Sequence, residues 1–256
     1  MSRKILTLVM ALAFVVGLSG MALASNMADV DQSSTDNEAY INQVGGSSNN
    51  NTIDIDQIAG TTNDAVVYQN GSGNDVDVIQ NASSGYNNLY VEQLGTNGAG
   101  NGDDNILKLS QAAGTNNDAN VYQWGNENVA NVSQTASLYN NFYVKQNGNS
   151  NVLVGANSDG TINLSGAATQ ISDASYYNDL SCVQSGDGNE AGLYQNASTF
   201  NDASITQYDG GNSLVAWQDA PYGSNELTSF QQNGGMEAVV IQNATSGNNV
   251  AIINQQ

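Results

Sequence analysis

Residues 63–80 read NDAVVYQNGSGNDVDVIQ and say nearly the same thing twice. Asn63 and Gln69 bracket five residues, four residues intervene, and Asn74 and Gln80 bracket five more. Inside each bracket the second and fourth residues after Asn are apolar, Ala65 and Val67 in the first, Val76 and Val78 in the second. The residues between them are mostly polar. Alternation with period two over seven residues predicts a half-buried β-strand, with Asn, two apolar residues and Gln on the inner face.

The pattern runs through the chain. Asn-x5-Gln occurs at Asn37 and Gln43, Asn51 and Gln57, Asn63 and Gln69, Asn74 and Gln80, Asn87 and Gln93, Asn105 and Gln111, Asn117 and Gln123, Asn128 and Gln134, and Asn140 and Gln146. It resumes at Asn178 and Gln184, Asn189 and Gln195, Asn201 and Gln207, Asn212 and Gln218, Asn225 and Gln231, and Asn249 and Gln255. Degenerate windows run from Asn151 to Asn157, from Leu164 to Gln170 and from Met236 to Gln242. Inner positions elsewhere hold Ile53 and Ile55, Leu107 and Leu109, Phe142 and Val144, or Ala203 and Ile205. No window beyond the N-terminus has a sustained helical period.

Two kinds of break alternate. One is Gln-x-Gly-x-Gly-Asn, as at Gln69–Asn74 and Gln184–Asn189; the other tends to Gln-x-Ala-Ser/Thr, as after Gln80, Gln134, Gln195 and Gln242. Glycine supplies the positive φ of a tight turn. The sole proline, Pro221, falls in a turn, where its missing N–H does least harm. The repeat is therefore two strands and two turns, an all-β unit.

Two architectures fit such a unit. A meander or barrel would set Asn opposite Gln. A two-sheet β-solenoid, with one repeat per coil and parallel stacking, sets Asn on Asn and Gln on Gln. Only the second lets each buried amide bond to an identical neighbour one coil away, as in cross-β ladders. It also penalises a register slip that apolar residues alone would allow.

The turn pattern resembles the curlin repeat, Ser-x5-Gln-x-Gly-x-Gly-Asn-x-Ala-x3-Gln. Asn63, Gln69, Gly71, Gly73, Asn74 and Gln80 match it, with Asn in place of Ser and Val76 in place of Ala. Asn178, Gln184, Gly186, Gly188, Asn189, Ala191 and Gln195 match with the Ser alone exchanged. The resemblance spans residues 37–255, in more repeats than the short curlins carry. It implies a secreted, major-subunit-like functional amyloid that polymerises with itself into extracellular curli-like fibres of biofilm matrix and adhesion. It implies a nucleating subunit and outer-membrane secretion machinery as partners, and no cofactor.

The rest of the sequence is read in that light. Residues 1–24, with Arg3, Lys4, an apolar run and Ala22-Leu-Ala24, have the form of a secretory signal peptide cleaved after Ala24. Beyond it the chain holds Lys108 and Lys145 against 24 carboxylates, a formal charge of about −22. A chain with no basic footprint is a poor ligand for nucleic acid. There is no His, and Cys182, at an inner strand position, reads as a small buried hydrophobe rather than a reactive thiol. Asp64, Asp75, Asp118, Asp179 and Asp202, with Glu38, Glu190, Glu226 and Glu237, follow the repeat Asn or its equivalent and point outward. They read as a solvated face that keeps the chain soluble; a weak divalent-cation surface is the sharper alternative, and catalysis has no support. Tyr68, Tyr122, Tyr194, Trp217 and Phe230 beside the Gln column read as outer-face stacking. Sequons such as Asn81-Ala-Ser83 are by-products of the turn sequence.

Counting coils from Asn37 gives about 8.5, roughly 40 Å of stack. Residues 25–36 are expected to be a short polar leader, disordered before export or docking. The run after Gln93 is expected to be a long Gly-rich turn. Of the windows 151–157 and 164–170, one is expected to stack and the other to bulge. The last strand, Asn249–Gln255, is expected to be half a coil with a bare edge. Uncapped ends favour a self-assembling subunit; the rivals are a minor nucleating subunit and a monomeric adhesin or glycan-binding solenoid.

Overall fold

In the computed structural model all of the described regular structure is β-strand, arranged in two sheets. The structure describes residues 26–256 except 34–35, 45–49, 59–60, 83–84, 96–103, 114–115, 136–138, 165–167, 173–176, 244–246 and positions 159, 198 and 221. The expected signal peptide with its cleavage site, the Gly-rich run at 96–103 and Pro221 lie outside the described residues.

Sheet I contains β1 (Met27–Gln32), β3 (Thr52–Ile58), β5 (Asp75–Ala82), β7 (Ile106–Ala113), β9 (Val129–Thr135), β11 (Val152–Ala156), β12 (Ile162–Asn163), β13 (Ala168–Ser172), β15 (Glu190–Ala197), β17 (Ser213–Ala220) and β19 (Glu237–Asn243). Sheet II contains β2 (Glu38–Val44), β4 (Thr62–Asn70), β6 (Tyr86–Leu94), β8 (Asn116–Trp124), β10 (Tyr139–Asn147), β14 (Tyr177–Ser185), β16 (Phe200–Tyr208), β18 (Asn225–Gln231) and β20 (Asn249–Gln255). The chain steps from one sheet to the other at each turn, so neighbours within a sheet are one coil apart and parallel. This is the two-sheet β-solenoid, and the meander is excluded. The register sets Asn63 on Asn87 and Gln69 on Gln93, and the pairing repeats down both sheets.

The core is the space between the sheets. Ile53, Ile55, Val67, Val78, Phe142, Leu180, Ile205 and Leu214 fill it with at most 1% exposure. Each such side chain contributes about 1.5–3 kcal/mol by leaving water. The inner residues of the two outermost levels are less covered: Val30, Ala39 and Ile41 at one end, and Ala238, Val240, Ala251 and Ile253 at the other, are partly buried. Among the described residues nothing stacks beyond them.

Three expectations change. Residues 25–36 do not remain a free leader: Asn26 and Gln32 bracket a further Asn-x5-Gln copy, with Ala28 and Val30 inward, and β1 pairs with β3 over its whole length. With β1 in place, β1–β2 forms the first level and β19–β20 the last. Sheet II is nine strands deep, so β20 belongs to a complete level rather than half a coil.

The third change concerns the two irregular windows. Both stack, each supplying half of one strand position. Val152 and Leu153 lie on Val129 and Ala130, while Ala168–Ile171 lie on Val132–Thr135. Between them the chain leaves the sheet, folds back as β12 antiparallel to β11, and returns as β13. A bulge of either whole window would have left a buried amide without its neighbour. The split keeps Asn from the first window and Gln from the second, Asn151 and Gln170. The excursion lies against the outer face of sheet I, where Val154 and Val215 are buried although their positions point outward.

The turns stack as closely as the strands. Gly186 has φ +107°, and a Cβ there would sit 2.1 Å from the carbonyl oxygen of Asp209 one level up. Gly188 has φ +69° but open space around a would-be Cβ. Gly186→Ala should therefore cost about 2 kcal/mol or more and Gly188→Ala about 1 kcal/mol. Urea unfolding followed by circular dichroism measures both; equal losses would mean that backbone strain, and not the close approach of stacked turns, sets the cost.

Candidate functional site

Four columns of amides run the length of the stack, one Asn and one Gln column per sheet. From Asn51 to Gln231 every predicted ladder residue is at most 1% exposed, Gln111 and Gln207 included. Asn37, Gln43, Gln242, Asn249 and Gln255 belong to the outermost levels; Asn249 is 6% exposed and the other four are more open. Asn26, Gln32, Asn151 and Gln170 occupy ladder positions in addition, and Met236 stands where sheet I has Asn at the other levels.

The Gln columns are continuous. In sheet II Gln43 Nε2 donates to Gln69 Oε1 at 2.9 Å and Gln69 to Gln93 at 2.8 Å. Further along, Gln184 donates to Gln207 at 2.9 Å, Gln207 to Gln231 at 2.9 Å, and Gln231 to Gln255 at 2.8 Å. In sheet I the column starts with Gln32 on Gln57 at 2.6 Å. Gln80 then donates to Gln111 at 3.0 Å and Gln111 to Gln134 at 3.0 Å. It continues through Gln134 to Gln170 (2.8 Å) and Gln170 to Gln195 (2.7 Å), and ends with Gln218 on Gln242 (2.7 Å). All of these Gln–Gln bonds point the same way, with the donor on the N-terminal side. The second N–H of each amide reaches backbone carbonyls across the core, as Gln123 Nε2 does to Ile106 at 3.1 Å and Asn128 at 3.2 Å.

The Asn columns point the opposite way. Asn117 Nδ2 donates to Asn87 Oδ1 at 2.9 Å, Asn140 to Asn117 at 2.9 Å and Asn249 to Asn225 at 3.0 Å. In sheet I Asn128, Asn151, Asn189 and Asn212 each donate one level down at 3.1 Å, and each backbone N–H joins the same oxygen at 3.1–3.2 Å. A primary amide has two donors and one acceptor oxygen, and in Gln123 and Asn128, for example, both donors and the oxygen are used. The arrangement has a direction. Its C-terminal end presents the last Gln donors, and its N-terminal end presents the first Gln acceptors.

Outside the core the same register aligns charge. Asp29, Asp54 and Asp77 stack in sheet I, with Lys108 next above. Burial, followed by the carboxylates of Asp56, Asp77, Asp29 and Asp75, holds the Asp54 carboxyl above the usual range. Among the described residues no group of three or more Cys, Asp or Glu side chains is arranged to hold a metal ion. The outer aromatics do pack: Tyr194 and Trp217 stack at 3.9 Å, Tyr122 lies between Tyr90 (5.4 Å) and Tyr143 (6.0 Å), and Phe230 meets Tyr208 edge-on. Tyr68 stands in register between Asn42 and Glu92. Lys145 lies 4.9 Å over the Trp124 ring.

Cys182 is buried in the core between Val144 and Ile205. Burial pushes its thiol up to about 12. The folded chain holds that proton more tightly than the unfolded one, so this site contributes stability below the ordinary thiol range and loses it as pH rises towards 12. At pH 8 the thiol should resist iodoacetamide in the folded chain and react in urea; labelling of the folded chain at the free-thiol rate would contradict this burial. For the ladder, Gln123→Ala removes bonds to Gln93, Gln146 and two carbonyls. It should cost about 3 kcal/mol, against less than about 0.5 kcal/mol for outward Asp64→Asn. Similar urea midpoints for the two variants would mean the ladder does not hold the stack.

Comparison with known families matches residues 48–81, the segment spanning β3, β4 and most of β5, to the Curlin associated repeat. Neither the curated proteins nor the solved structures contain a match to the chain.

Proposed function

We propose that this chain, in which residues 48–81 match the Curlin associated repeat, is a curlin-like secreted structural subunit that polymerises end to end by strand addition. The observation that carries the reading is the complementarity of the two ends. Continuing the register by one level would set Ala238, Val240 and Gln242 against Ala28, Val30 and Gln32 of the next copy. It would likewise set Ala251, Ile253 and Gln255 against Ala39, Ile41 and Gln43. The part-buried core residues of both ends would be covered, and the Gln donors would meet Gln acceptors. A head-to-head contact would set donor against donor.

The outward residues support the same junction. The last level presents Val239, Ile241 and Val250, which are 60%, 46% and 47% exposed. Exposed apolar side chains on a strand edge invite association. In register they would lie opposite Asp29, Asp31 and Glu38 of the next copy. Within the chain acid stacks on acid at such positions, but across this junction no like charges would meet. Two acids at strand spacing repel by about 1 kcal/mol in water, so their omission favours growth there.

Major and nucleating roles differ in kinetics. A major subunit forms fibres alone after a lag, a nucleator assembles at once and accelerates a partner, and a monomeric adhesin stays monomeric. The lag is the behaviour proposed here. Export through the outer membrane and the signal peptide at residues 1–24 complete the reading.

The junction can be tested by charge. The variant Val239→Asp/Val250→Glu should elongate wild-type seeds about tenfold more slowly at low salt and recover as ionic strength rises. Deleting residues 249–256 should slow elongation at every ionic strength. If both variants extend seeds at the wild-type rate, the C-terminal level is not the growing surface.

A further inference from the structure

The outer face of sheet II carries a groove of about 540 Å3 that runs along the stack and involves neither end. One wall is the row of residues just before the repeat Asn: Tyr86, then Tyr139 and Phe200 on later levels. These rings are 54%, 37% and 45% exposed. The other wall is the row just after the repeat Asn, where Asp118, Asp179 and Asp202 stand in register with Asn141 between the first two. None of the lining residues is cationic. Of the two lysines among the described residues, Lys145 is at the far end of its strand over Trp124, and Lys108 is on the other sheet.

We propose that this groove binds a linear organic polycation, such as an aliphatic polyamine, laid along the stack axis with its ammonium groups on Asp118, Asp179 and Asp202 and its methylene stem on the rings of Tyr139 and Phe200. Charge complementarity identifies the occupant. The acids lie one and two levels apart, about 5 and 10 Å, a spacing for charges on a chain rather than for one ion. The aromatic wall serves an apolar stem and favours cations near ring faces. A neutral ligand would leave three aligned carboxylates uncompensated. Burial comes first among the causes that raise the carboxyls of Asp118, Asp179 and Asp202, and for Asp202 the charges of Asp179 and Glu226 add to it. Charge held there at a cost is charge that a cation relieves. The proposal goes beyond fibre assembly, and its test does not depend on polymerisation.

Spermine is the probe, titrated into the freshly purified full-length mature chain by calorimetry at low salt. The variants are conservative because the columns already contain the replacing residue: Asn88 and Asn141 in the acid row, and Asn116 in the aromatic row. Saturable binding at one equivalent is expected, weakened about tenfold in Asp179→Asn/Asp202→Asn and severalfold in Tyr139→Asn. Asp54→Asn/Asp77→Asn, which removes as much charge from sheet I, should leave the affinity within about twofold. The proposal fails if binding is not saturable, if the sheet I variant loses as much as the groove variant, or if Tyr139→Asn binds as wild type. It also fails if a neutral linear oligosaccharide binds the groove as tightly and ignores the Asp substitutions.

Discussion

The structure depends on the side-chain amide bonding to its own kind one coil away. Asn and Gln are costly in a core because each carries several polar valences. A parallel stack in register removes the cost by repetition, since the neighbour above offers the group that the neighbour below lacks. Apolar side chains fill the space between the columns but tolerate displacement by two residues along a strand. The amides do not, because a slipped Gln would lie over Val or Ile. Hydrophobic burial supplies most of the stabilisation and the ladders supply the register.

Once the register is fixed, much else follows without further specification. Turns stack because strands stack, which is why Gly186 approaches a carbonyl from the next level so closely. Outward residues fall into columns, so substitutions separated by two or more dozen residues in sequence become neighbours. The groove on sheet II and the acid column on sheet I arise in this way, from single residues with no local motif. The same logic makes the ends unlike the middle. An inner residue such as Ile253 is placed as its equivalents are, yet it stays half-covered for want of a next level.

What the sequence discloses follows the same division. Strand positions, parallel pairing and ladder residues such as Gln111 and Gln207 are legible because each is written locally and then repeated. Asn26–Gln32 carries the same signal, yet a polar segment that follows an apolar N-terminal run invites reading as a leader. The shared level of β11 and β13 is not legible. Each half is too short to show the alternation, and only the neighbours at Val132 and Leu193 reveal how the halves join. Met236 in an Asn position reads as a defect until it is seen to lie on the last level. The groove is legible only in part: its acid row can be read from the residues after the repeat Asn, but the groove itself, with walls drawn from five strands, is a property of the register.

The excursion between Ala156 and Ala168 bears on how such chains can change. A solenoid strand is held by its neighbours on both sides, so it need not be continuous. Two fragments in the right register close the same hydrogen bonds, and the chain between them is free to grow outward from the face. Insertion is thus tolerated inside a coil as well as at its corners. In a polymer built by axial continuation each such outgrowth would recur once every nine levels, at about 43 Å. A segment placed there would be displayed as a regular lattice along the filament, with a period set by the number of coils in one chain.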